Sequence, residues 1–157
     1  MGDTLNIVNI TEGKAYYTVP KINTLKEMLK MCADKYSSNI AFKFRNEPRL
    51  PTITKTFLEF YDDVNAFGSS LTELGLKNSR IAIIGENRYE WVVSYLGTIN
   101  GVGVAVPLDR MLPPNEIELM LERGEVDVLV YSESFQQTVE NISKNNTNLK
   151  ALICMNP

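Results

Sequence analysis

The sequence predicts an α/β fold, an open, mostly parallel sheet with helices on both faces. Three observations point there. Strand-like and helix-like segments alternate at least three times after residue 80, and such alternation requires parallel strands joined by right-handed crossovers. Ile81-Ala82-Ile83-Ile84 is apolar at every position, as a parallel strand buried on both faces must be. Capping boxes and glycines mark where the helices between the strands start and stop.

Residues 1–22 are polar and weakly patterned and read as a surface arm, followed by one α/β domain over 23–157. Thr24-Leu25-Lys26-Glu27 announces the first helix: the Thr hydroxyl accepts from a free backbone N–H, and the Glu bonds back. Leu25, Met28, Leu29, Cys32 and Tyr36 then follow at helical spacing as its apolar face, and the pair Met28 and Met31 reads as core filling. Two short strands, 40–45 and 52–55, flank the turn Asn46-Glu47-Pro48-Arg49. A second box, Thr56-Phe57-Leu58-Glu59, opens a long helix striped with Phe57, Tyr61, Val64, Phe67, Leu71 and Leu74, with Gly75 at its end. Asp62-Asp63 faces away from that stripe and reads as a solvated face rather than a catalytic dyad.

Beyond residue 80, strands are expected near 81–84, 103–107, 127–131 and 150–154. The helix after the first of these is capped by Asn87 and turns Val92, Tyr95, Leu96 and Ile99 inward. The next begins at Pro113-Pro114-Asn115-Glu116, where proline is tolerated and the acid complements the dipole. Ile117, Met120 and Leu121 form its inner face and Gly124 closes it. A weaker helix covers 135–143.

The 157 residues, 44% hydrophobic and 22% charged, suit one globular domain that needs no metal or disulfide to hold it. Sixteen Lys+Arg against nineteen Asp+Glu give a net charge of -3, the wrong sign for a protein held on nucleic acid by phosphate neutralisation. Splitting after residue 80 gives 11 basic and 9 acidic residues over 1–80, then 5 and 10 over 81–157, too mild for a basic tail or an acidic arm. No histidine is present, which removes imidazole acid–base chemistry and histidine-based triads and metal sites. Cys32 and Cys154 lie 122 residues apart with no ligand or redox spacing, and read as two buried thiols in a reducing compartment. The longest apolar run, Val102 to Leu108, is far short of the ~20 residues of a membrane span. The expectation is a soluble, cytoplasmic protein.

Ligands of open parallel sheets bind beyond the carboxyl ends of the strands. The polar residues expected there are Glu86, Asn87 and Arg88, then Asp109 and Arg110, then Ser132 and Glu133. Each also has a purely structural use: Asn87 as a helix cap, Arg88 as a solvated first-turn residue, Ser132 and Glu133 in a strand-to-helix turn. Gly85 stands alone after its strand, and Gly101-Val102-Gly103 precedes a strand instead of opening a helix, so neither forms a dinucleotide fingerprint. The candidate nucleophiles lack a histidine base. Read residue by residue, the chain has no evident catalytic, cofactor-binding or metal site.

Ile81-Ala82-Ile83-Ile84-Gly85-Glu86-Asn87-Arg88-Tyr89-Glu90-Trp91 is nevertheless a familiar segment. So are Asn100-Gly101-Val102-Gly103-Val104-Ala105-Val106-Pro107-Leu108-Asp109 and, behind it, Leu112-Pro113-Pro114-Asn115-Glu116-Ile117. In order and spacing they resemble the N-terminal, Rossmann-like three-layer subdomain of the AMP-forming acyl-CoA synthetases, within the adenylate-forming superfamily. Upstream, Thr52 to Phe60 and Leu74-Gly75-Leu76 are similar to the family's strand-to-helix entry and helix end. The Glu-Asn-Arg-x-Glu-Trp form leans towards the long-chain fatty acid–CoA ligases.

The resemblance implies a two-step ligation. A fatty acid carboxylate attacks the α-phosphorus of ATP, releasing pyrophosphate, and coenzyme A thiolate then displaces AMP, with Mg2+ neutralising the phosphates. It also implies a phosphate loop ending in Lys, a ribose-binding acid, a hinge and a C-terminal Lys, none of which the sequence contains. The chain is therefore expected to be the fold-forming N-terminal part of a longer enzyme, truncated before the phosphate loop. On this reading it holds no cofactor of its own, and ATP, Mg2+ and coenzyme A belong to the full-length form. Its expected partners are the remainder of its enzyme and, through exposed apolar surface, a second copy in a homodimer. Two alternatives stand beside this reading: a stand-alone non-catalytic interaction module derived from the subdomain, and a small flavodoxin-like protein binding a nucleotide or flavin.

Overall fold

In the computed structural model, residues 13, 16–18, 20–145 and 148–156 are described; most of the arm expected over 1–22 lies outside them. The elements in chain order are α1 (Leu25–Tyr36), β1 (Ile40–Phe44), β2 (Ile53–Thr56), α2 (Phe57–Glu73), β3 (Arg80–Ile84), α3 (Tyr89–Ile99), β4 (Val104–Pro107), α4 (Pro114–Arg123), β5 (Val128–Tyr131), α5 (Gln136–Asn145) and β6 (Ala151–Cys154). A short 3-10 turn, Glu133–Phe135, leads into α5. The four strands expected after residue 80 form one sheet in the order β4-β3-β5-β6. Every pairing is parallel, with Ile81 opposite Ala105 and Val128, and Val128 opposite Ala151. β1 and β2 form a separate antiparallel hairpin.

The pleat explains why β3 is apolar from Ile81 to Ile84. Ala82 and Ile84 face one way, into a core with Ile117 and Leu121 of α4, Leu129 of β5, and Val139 and Ile142 of α5. Ile81 and Ile83 face the other, with Leu71 of α2, Val102, and Val128 and Val130 of β5. Alternate side chains thus serve opposite helix layers, so no polar residue is tolerated at these four positions. A third core joins Leu29 of α1, Phe60 and Val64 of α2, and Tyr89 and Val93 of α3, with Phe42 and Phe44 of the hairpin packed against it.

The caps hold with three changes. Thr56 and Glu59 form the full reciprocal box on α2. At α1, Thr24 accepts from the Glu27 N–H, but the Glu27 carboxylate turns back one residue further, to the Asn23 N–H. α3 starts one residue later than expected, with Arg88 rather than Asn87 at its cap and no side-chain bond there. Gly75 takes the left-handed conformation at φ 76°, and the Leu76 and Gly75 N–H groups close the end of α2 on Leu71 O and Thr72 O, a Schellman motif. After α4 the left-handed position falls to Glu125 and not to Gly124.

Several buried faces are rotated from the expected ones. On α2 the buried residues are Phe60, Val64, Gly68 and Leu71, and Leu74 is left outside as the C-cap. On α1 only Leu29 and Ala33 are buried, and Leu25 and Tyr36 remain exposed. α3 buries Tyr89, Val93, Ser94, Gly97 and Thr98, because it also packs closely against α2. A Cβ on Gly97 would stand 2.8 Å from Phe67 Cδ1 and 3.0 Å from Val64 O. Met120 lies at the surface. β4 is an edge strand, half open to water, and not a buried one. Its entry at Gly103 is so tight that a Cβ there would stand 2.2 Å from Ser79 O. Cys32 and Cys154 are free and half-buried instead of fully enclosed.

Candidate functional site

The strand order places β3 and β5 at the point where successive connections leave in opposite directions, the usual ligand crevice of such a sheet. Here the crevice is filled by protein. Gly85 ends β3 directly against Ser132, where a Cβ would sit 3.0 Å from Ser132 Cβ, and Ser132 is 1% exposed. Ser134 donates to Glu86 Oε1 at 2.5 Å, and the Ser132 and Ser134 hydroxyl oxygens lie 3.0 Å apart. Hydrogen bonds to Glu86, first from Ser134 and then from Ser132, hold its carboxyl below its ordinary range. The Glu86 carboxylate is thus satisfied within its own rim.

The structure brings some of the sequence-predicted residues together and not others. Glu86 and Ser132 meet through Ser134. Arg88 and Glu133 meet through Asn156, which accepts from Arg88 Nη1 at 2.5 Å and donates to Glu133 Oε2 at 3.2 Å. Asn87 is exposed and caps nothing. Asp109 turns onto its own loop, accepting from the Met111 N–H at 2.9 Å, and Arg110 is exposed beside it.

An apolar-walled cavity lies away from this crevice. It measures about 460 Å³ and opens between the hairpin, the α2–α3 pair and the β5–β6 side of the sheet, with Val130, Ile153 and Met155 along its wall. Its polar side is a cluster that the sequence reading missed. Asp63 Oδ2 accepts from Lys55 Nζ and from the Tyr89 hydroxyl, both at 2.6 Å. Asp63 is thus not the solvated residue expected; Asp62 alone is exposed. Burial pushes the Asp63 carboxyl up, but the two hydrogen bonds outweigh it and hold the group below its usual range. Burial, then the bond to Asp63, drives the Tyr89 phenol far above its ordinary value. A carboxylate with both donors in place and a phenol that stays neutral form a structural clasp, not a base and a nucleophile. The available signal was the Lys55–Asp63 spacing across the capping box, which sets a cation and an acid on either side of the α2 start. Among the described residues no three Cys, Asp or Glu side chains converge as a metal site would need. No helix there is long and apolar enough to cross a membrane.

The four-stranded parallel sheet with flanking helices recurs in solved structures. The anthranilate CoA ligase AuaEII, solved with anthranoyl-AMP, superposes with a TM-score of 0.75 at 21% identity, over 87% of this chain and 25% of its own. Residues 29–156 match the AMP-binding enzyme family, and the chain belongs to that family. It is 32% identical over 117 residues to long-chain-fatty-acid–CoA ligase 5 of Mus musculus, covering 71% of this chain and 17% of the relative. It is 37% identical over 95 residues to fatty acyl-CoA synthetase A of Dictyostelium discoideum, covering 59% and 14%. The chain therefore spans about a sixth of the length of the curated relatives it matches.

Proposed function

We propose that these residues work as the N-terminal scaffold of a fatty acyl-CoA synthetase, with long-chain fatty acids as the acyl substrate. The observation that carries the reading is the family match over residues 29–156, joined to relatives named as long-chain ligases. In that reaction the fatty acid carboxylate takes the α-phosphoryl group of ATP, pyrophosphate leaves, and coenzyme A thiolate then displaces AMP. On this reading the residues described above build the scaffold and the chemistry is done by other parts of the enzyme. Holding ATP, coenzyme A and Mg2+ falls to parts of the enzyme outside this chain. The two unpaired cysteines fit a cytoplasmic setting, and self-association through exposed side chains such as Leu74 and Met111 belongs to the same proposal.

The test is fatty acid-dependent exchange of pyrophosphate into ATP. Exchange is expected from a whole synthetase containing these residues and not from the 157 residues alone, because positioning and charge stabilisation need the phosphate loop. Exchange by the purified chain, free of host enzyme, would overturn the assignment. A whole synthetase that accepts only short or aromatic acids would overturn the long-chain part of it.

A further inference from the structure

Three loops at the carboxyl end of the parallel sheet are fastened by one side-chain amide. Asn156 stands just beyond β6, Arg88 ends the loop after β3, and Glu133 opens the turn after β5. The last backbone rung on the β6 side among the described residues is Met155 N–H to Tyr131 O, at 2.8 Å. One residue on, the Asn156 side chain takes over: Oδ1 accepts from Arg88 and Nδ2 donates to Glu133. Arg88 is itself aimed, its Nε donating to Glu90 Oε2 at 2.7 Å, and its side chain is only 22% exposed.

The chemistry of the three groups is specific. An amide presents an acceptor to one neighbour and a donor to the other at the same time; a carboxylate presents acceptors only. Aspartate at 156 would keep Arg88 but set a like charge against Glu133. Lysine at 88 would keep the charge but lose the planar fork that serves Glu90 and Asn156 together. The relay lies on the carboxyl-end rim of the sheet, where ligands of parallel sheets bind.

We propose that Arg88 and Glu133 are positioning residues: by gripping Asn156 from both sides they set the direction in which the backbone leaves β6. The kinetic consequence rests on the synthetase reading above; the grip itself does not. In the chain, the Asn156 Nδ2 proton donated to Glu133 should exchange with solvent more slowly than its geminal partner, and Glu133→Ala or Arg88→Ala should speed that exchange at least about tenfold. In the whole synthetase, Asn156→Asp should lower the turnover of pyrophosphate exchange about tenfold while KM for the fatty acid stays put, since small misplacements remote from the chemistry act on rate. Glu133→Gln removes the like charge and supplies a donor, so the double variant Asn156→Asp/Glu133→Gln should recover most of that turnover. A double variant no better than Asn156→Asp, or Asn156→Asp at wild-type turnover, overturns the positioning role. Free exchange of the Asn156 amide in the unaltered chain overturns the grip. Slow amide exchange in a chain whose parent gives no pyrophosphate exchange upholds the grip and refutes the synthetase reading instead.

Discussion

Ile81, Ile83, Val128 and Leu129 of the two central strands are fully out of water, whereas Ile40, Leu50 and Ile53 at the hairpin end of the molecule are 48%, 45% and 37% exposed. The sheet is held by aliphatic side chains clamped between two helix layers. The hairpin is held from one side, by Phe44 stacked on Tyr89 with ring centroids 5.1 Å apart and by Phe42 against Phe60 at 4.7 Å. The Lys55–Asp63–Tyr89 clasp then sets its angle to α2 and α3. The difference teaches that one chain can combine a region specified by its own periodicity with one specified by a few long-range contacts. The second kind is the easier to loosen.

The sharpest way to break this contrast is to hollow the sheet. Leu129→Ala removes a fully buried side chain from between α4, α5 and β3 and should cost about 3–4 kcal/mol, read as a lower urea midpoint for the whole chain. If the hairpin and sheet signals separate in that titration, the two regions are independent units. A smaller effect is expected where they join. Gly97→Ala places a methyl group against Phe67 and the α2 backbone, and should destabilise by about 1–3 kcal/mol while raising amide exchange in both α2 and α3. The smallest effect belongs to the clasp. The Asp63 side chain is 37% exposed, so Asp63→Asn should cost under about 1 kcal/mol near neutral pH after solvent screening. Its carboxyl binds a proton less readily folded than unfolded, so its contribution is complete above the ordinary aspartate pKa of about 4. That contribution is lost as pH falls through the lower folded value. The stability gap between wild type and Asp63→Asn should therefore close in acid; a gap constant from pH 7 to pH 3 would show that the clasp does not use that charge.

Legibility followed the same division. β3 to β6 were readable because each strand is a short apolar run bounded by polar turns, and the caps at Thr56 and Gly75 report purely local geometry. The rotated faces of α2 and α3 were not readable, because the α2–α3 crossing depends on Gly68 and Gly97 meeting, and hydropathy patterns give glycine no direction. Asp63 was misread for a related cause: its partner Tyr89 is 26 residues away. At the carboxyl-end rim the sequence named Glu86, Arg88, Ser132 and Glu133, but not Ser134 and Asn156, the two residues through which they meet. Short polar residues after strands are common, and only the parallel register brings these ones together.

The pairing of β3 with β5 also carries a cost in time. Arg80 and Asp127, joined by a backbone N–H to carboxylate bond, stand 47 residues apart, with α3, β4 and α4 threaded between them. At a synthesis rate of roughly 5–20 residues per second, β3 leaves the ribosome about 2–10 s before its central neighbour exists. During that interval α1, the hairpin and α2 can assemble from contacts close in sequence, while Ile81, Ile83 and Ile84 await their partners. The newborn chain is therefore most prone to clump in the window between the emergence of Ile84 and that of Val128, and a holdase that binds short aliphatic runs would act on it there.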